Sequence, residues 1–159
     1  MNQSRYWLLK SEPKSFSIDD LAACPEQTTQ WDGVRNYQAR NYLRDQMQPG
    51  DLGFFYHSNC KQPSIVGIVE ICSAGYPDPT AFDPESPYFD PKSRIERPRW
   101  FMVDVRLVEK FSHPLPLKRL QQYRKELEGL TLLQRGHRLS VMPVAPEHWR
   151  FILSLTEKP

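Results

Sequence analysis

The chain has 159 residues, the size of one ordinary domain, and can bury a core without disulfide or metal staples. With 39% hydrophobic and 25% charged residues, it is neither a disordered polyelectrolyte nor a membrane protein. A net charge of +2 does not by itself argue for nucleic acid, so any basic patch must come from local clustering.

Tyr6-Trp7-Leu8-Leu9 reads as a buried strand whose exit is Lys10-Ser11-Glu12-Pro13, because Pro13 pushes Glu12 out of helical geometry. Ser17 and Asp20 have capping-box spacing and predict a short helix that stops before Pro25. Residues 28–35, around Trp31-Asp32-Gly33, read as a loop. The spacing of Ala39, Leu43 and Met47 predicts a helix over 36–47, ended by Pro49-Gly50-Asp51. Residues 52–58 and 64–71 read as a β-hairpin with a polar connection. Residues 75–98 have neither period and hold six prolines among Tyr76, Phe82, Tyr88 and Phe89. So many aromatics favour an ordered loop pinned to the surface. Residues 99–111 alternate as a strand, with Phe101, Val103, Val105 and Leu107 on one face. A helix over 116–124, a strand over 139–144 and a closing helix over 146–155 complete the chain. Strands with short helices in mixed order imply an α+β fold around a small barrel, one domain over 1–159.

Motifs for catalysis are absent. The four histidines have no metal-site spacing, and neither a phosphate-binding glycine loop nor G-x-S-x-G occurs. Cys24, Cys60 and Cys72 form no C-x-x-C pair, which favours reduced thiols over a disulfide framework or a zinc site. The segment Met1 to Lys10 lacks the features of a signal peptide, and no apolar run nears the roughly 20 residues of a membrane span. The expectation is a soluble, cytoplasmic protein with no metal, no cofactor, no catalytic residue and no membrane partner.

Three features point to binding. Trp31, in a polar, glycine-containing segment, must cover either the core or a ligand. Phe54-Phe55-Tyr56-His57-Ser58-Asn59 runs from apolar to polar, as a pocket floor meeting a rim would. The third feature is the aromatic, proline-rich stretch Tyr76 to Trp100. Arg35, Arg40 and Arg44 cluster near the first, and Arg94, Arg97 and Arg99 near the last. Aromatic platforms ringed by arginine hold single-stranded nucleic acids, since bases stack and phosphates pair.

The segments Tyr6 to Pro13, Trp31 to Asn41, Phe54 to Cys60, Asp83 to Ser93, Pro98-Arg99-Trp100 and Arg138 to Val141 together resemble the EVE domain family. The resemblance covers nearly the whole chain. It implies a PUA-like fold, a β-barrel flanked by short helices, and kinship with the YTH domains, which read methylated adenine in an aromatic cage. It also implies binding to DNA or RNA that carries a modified base, such as a methylated or hydroxymethylated cytosine. The Lys-Ser at a strand exit followed by a Trp, a pattern shared with those relatives, corresponds to Lys10, Ser11 and Trp31. On this reading Trp31 stacks on the base and Ser11 bonds its polar edge. Asn36, Tyr56, His57, Ser58 and Asn59 form the floor and rim, Tyr76 or Trp100 closes the far wall, and Arg35 and Arg40 meet phosphates. An enzyme acting on modified nucleotides, and a protein-interaction module using the exposed aromatic loop, stand beside it as alternatives. The oligomeric state is not legible.

Overall fold

The computed structural model describes residues 5–156; residues 1–4, the head of the segment read for a signal peptide, and 157–159 lie outside the described residues. Strand β1 (Tyr6–Ser11) is an interior strand of the sheet, paired on both sides. Its Trp7, Leu8 and Leu9 are all fully buried, which is why the sequence shows an unbroken apolar run and not an alternation. It pairs in parallel with β3 (Leu52–His57) and antiparallel with β7 (Val141–Val144). The predicted hairpin is present: β3 pairs antiparallel with β4 (Ser64–Ile71). The long strand β6 (Phe101–Pro116) continues the sheet and runs five residues past the predicted end at Phe111, because its far half still pairs with β4. The strand order is β2-β6-β4-β3-β1-β7, where β2 is Thr28–Trp31 and the two-residue β5 (Tyr76–Pro77) joins β6 off this path.

Strand β2 corrects the reading of residues 28–35 as a loop. Thr28 to Trp31 pair antiparallel with Arg106 to Val103 of β6. The chain enters through Glu26 and Gln27, both at positive φ (55° and 52°), a turn that residue type did not announce. Helix α1 (Ile18–Ala23) has the predicted capping box: the Asp20 N–H donates to Ser17 Oγ and the Ser17 N–H to Asp20 Oδ2. The helix predicted over 36–47 is instead α2 (Tyr37–Asn41), followed by a π-helical turn over Tyr42–Gln46. The wider turn still brings Leu43 and Met47 into the core with Ala39. Helix α3 (Leu117–Gln121) is shorter than predicted, while α4 (Pro146–Thr156) closes the chain. Trp149 of α4 stacks on Phe54 at 3.9 Å and on Tyr6 at 4.5 Å. No described helix is long and apolar enough to cross a membrane.

Residues 78–100 form an ordered loop organised by carboxylates. Asp78 is fully buried and accepts hydrogen bonds from the Gly33 N–H (2.8 Å), the Thr80 N–H (2.8 Å) and Thr80 Oγ1 (2.5 Å). Asp90 accepts from the Trp100 indole at 2.7 Å. Apart from a 3-10 turn over Pro79–Phe82, these bonds stand in for regular structure here, and the Gly33 bond ties the loop to the segment that follows β2.

Candidate base-binding cavity

A cavity of about 570 Å³ opens where the exit of β1, the end of β2 and the loop after β5 converge. Its size falls within the range of small-molecule sites, roughly 300–1,000 Å³. Lys10, Ser11, Trp31 and Ser58 line it together with Glu12, Ser15, Phe16, Thr29, Gln30, Asp32, Gly33, Val34, Tyr88 and Ser140. Register explains the meeting of distant segments. Parallel pairing sets Ser11 beside His57, so the ends of β1 and β3 leave the sheet together, and the Ser58 N–H donates to the Ser11 carbonyl at 3.0 Å. The Lys10 N–H donates to Ser140 O at 2.8 Å, which brings in the approach to β7.

Trp31 both packs inward and faces this space. The residue is only 7% exposed and its indole meets Phe55 edge-on, 5.4 Å between centroids at 89°. Lys10 holds its ammonium 5.7 Å from the Tyr56 ring centroid and has no ion-pair partner among the described residues. Burial pushes its pKa down. The Ser11 hydroxyl donates to the Phe16 carbonyl at 2.6 Å, so its oxygen is left to accept from a ligand. Tyr88 also lines the cavity, and its ring covers Gly33. A Cβ on Gly33 would fall 2.6 Å from that ring, and φ there is +78°, so a glycine is required twice over.

The other residues proposed from the sequence lie outside the cavity lining. Tyr56 is buried beneath Lys10, and burial raises its hydroxyl pKa to about 12. His57 Nε2 accepts from the Ile18 N–H at 3.1 Å, which ties β3 to α1. Asn59, at a φ of +49°, donates through Nδ2 to Glu12 Oε1 and so braces the strand exit. Asn36 caps α2 by accepting from the Ala39 N–H at 2.9 Å. The Tyr76 hydroxyl donates to Asp104 at 2.5 Å, and burial followed by this bond raises its pKa to about 12. Trp100 is buried under Tyr37, stacked at 4.9 Å. The second aromatic of the lining is therefore Tyr88, not Tyr76 or Trp100. Arg35 bonds to Val34 O, Asp78, Thr80 and Tyr88 O, while Arg40 reaches Arg99 O at 2.6 Å. Both guanidinium groups face protein acceptors.

A model of the EVE domain matches residues 5–155. This chain belongs to the EVE domain family. The EVE domain described here is 49% identical to mouse (Mus musculus) thymocyte nuclear protein 1, over 98% of this chain and 75% of that protein. The human THYN1 protein, solved in complex with 5-methylcytosine containing DNA, superposes with a TM-score of 0.93 at 46% identity, covering 98% of this chain and 99% of that one. A protein from Pseudomonas putida gives 0.90 at 54% identity, covering 95% and 99%. The EVE domain thus has the PUA-like α+β fold that its sequence resemblance implied.

Proposed function

We propose that this EVE domain reads a modified base in DNA, with 5-methylcytosine as the first candidate, and does so by binding without chemical change. The observation that carries the reading is the cavity itself, lined by two aromatic residues, Trp31 and Tyr88, and by Lys10, whose ammonium has no ion-pair partner among the described residues. Supporting it, the human relative with nearly the same backbone was solved with methylcytosine DNA. Stacking on an aromatic wall contributes about 1–3 kcal/mol per base. Burying the methyl adds about 0.8 kcal/mol, roughly fourfold in affinity. A duplex base must first be extruded, at a cost of a few kcal/mol, so single strands bind more tightly than duplexes.

The test is fluorescence anisotropy with a single-stranded oligonucleotide bearing one 5-methylcytosine. Binding is expected, with affinity falling as salt rises, and the oligonucleotide mass is unchanged after incubation. Trp31→Ala is a poor sole control, since removing a buried tryptophan costs about 3–5 kcal/mol of stability. Lys10→Ala removes the ammonium while leaving the core intact, and should weaken binding at least fivefold in folded protein. Absence of binding to any modified oligonucleotide rejects the reading, and a change of oligonucleotide mass replaces it with an enzymatic one.

A further inference from the structure

We propose that Asp32 is the specificity-determining residue of the cavity, selecting a base edge that presents an exocyclic amino group and rejecting one that presents a carbonyl there. This rests on the base-reader function proposed above and names which base the site accepts.

Asp32 is the carboxylate of the lining that no other described residue hydrogen-bonds. Glu12, also on the lining, accepts from Asn59. Asp78, outside the lining, accepts from Gly33, Thr80 and Arg35. Arg35, three residues along the chain, is the obvious partner for Asp32, yet its guanidinium pairs with Asp78 at 3.1 Å and with Thr80 and two carbonyls. Beyond its own backbone N–H, Asp32 receives no hydrogen bond among the described residues. Its pKa is raised, by burial first and by the nearby Asp78 second, with its own backbone N–H and the Arg35 charge opposing. The residue as a whole is open to solvent at the mouth of the cavity. Both neighbours hold it in place: Trp31 is in the core, and Gly33 is locked between Tyr88 and Asp78.

The cavity therefore offers a sorted set of polar groups. An ionised Asp32 carboxylate accepts only. Ser11 Oγ has its proton committed to Phe16 and also accepts. Lys10 Nζ donates only. Cytosine presents an amino group beside two acceptors, N3 and O2, which suits a cavity lined by both a carboxylate and an ammonium. Thymine presents O4 where cytosine has its amino group, so its lone pairs would face those of Asp32. The methyl cannot make this distinction. Thymine has the same C5 methyl as 5-methylcytosine and is its hydrolytic deamination product. A pocket built only from Trp31 and Tyr88 would treat the two alike, whereas one correctly paired base edge gives about 1–3 kcal/mol of discrimination.

The experiment compares single-stranded oligonucleotides identical except for one position, which is 5-methylcytosine, cytosine or thymine. The intact protein should bind 5-methylcytosine at least tenfold more tightly than thymine, and cytosine only a few-fold more weakly than 5-methylcytosine. Asp32→Ala should bring the 5-methylcytosine to thymine ratio within threefold. Asp32→Asn, with its amide verified by intact mass because Gly33 follows, should tighten thymine binding relative to the parent. Unchanged thermal midpoints are expected for both variants, since Asp32 hydrogen-bonds no other described residue. Equal binding of 5-methylcytosine and thymine by the parent, or a parental ratio in Asp32→Ala, overturns the assignment and leaves the reader function standing. Failure of the parent to bind any of the three overturns both.

Discussion

Arg35 and Asp32 look interchangeable in the sequence, two charges beside a tryptophan, and the structure gives them opposite fates. All five guanidinium N–H bonds of Arg35 are engaged: Nε on Tyr88 O, Nη1 on Val34 O and Asp78, and Nη2 on Thr80 Oγ1 and Tyr88 O. The fork clamps the carbonyl of the residue whose ring is the second aromatic of the lining. Burial pushes the Asp78 carboxyl up, but hydrogen bonds from Thr80, Gly33 and Arg35 outweigh it and hold the pKa below the ordinary value. Removing one partner of such a buried pair costs about 3–5 kcal/mol, because the other charge is left uncompensated. Arg35→Ala should therefore lower stability by about that much in urea titration, and Arg35→Lys should recover little, since an ammonium cannot fork. A variant of full stability whose only defect is a shallower salt dependence of DNA binding would return Arg35 to the phosphate role assigned from sequence.

At the scale of elements, legibility followed periodicity. Strands β1, β3, β4 and β6 announced themselves through apolar runs or alternation, and α1 through its capping box. Strand β2 did not, because four residues with two threonines are too short to show a period; only β6 supplies the ladder that defines them. The cavity was half legible for the same reason. Lys10, Ser11, Trp31 and Ser58 were assigned to the site from sequence, whereas Tyr88 and Ser140, which also lie in resembling segments, join it through long-range contacts that no local pattern shows. Asp32 was overlooked although it follows Trp31 directly, since the availability of a carboxylate depends on who else claims the nearby cations. The tie between β3 and α1 was also hidden. His57 accepts from the Ile18 N–H, which requires a neutral imidazole. Burial lowers its pKa below the ordinary value of about 6.5, with the Lys110 ammonium adding to the shift and Asp19 opposing it. Below that value the unfolded chain takes up a proton that the folded state resists, so stability falls as pH falls from about 6.5 through the folded-state pKa. His57→Gln keeps an acceptor and removes the titration; its thermal midpoint should decline less between pH 7 and pH 5 than the parent's. His137 shifts in the same direction and leaves a residual slope. Parallel declines in the two proteins would separate His57 from the acid response.

For the whole molecule, the binding wall and the core are one object. Trp31 belongs to the same apolar cluster as Trp7, Phe55 and Trp149, so the slot is held open by the packing that holds the sheet together. A ligand that fills it binds the folded state and has no counterpart in the unfolded chain, where Lys10, Trp31 and Tyr88 are far apart. Mass action then sets the stabilisation at about 2.7 kcal/mol when free ligand is a hundred times its dissociation constant. For a chain of 159 residues, each kcal/mol moves the thermal midpoint by about 2–4 °C, so a rise of about 5–10 °C is expected with a saturating 5-methylcytosine oligonucleotide. The shift should follow the logarithm of ligand concentration. In Lys10→Ala the ligand-free midpoint should stay near the parent's, because the ammonium pairs with no described acid, and only the ligand-induced part should shrink. A parental shift in that variant would place the oligonucleotide elsewhere on the surface, outside the cavity lined by Trp31 and Tyr88.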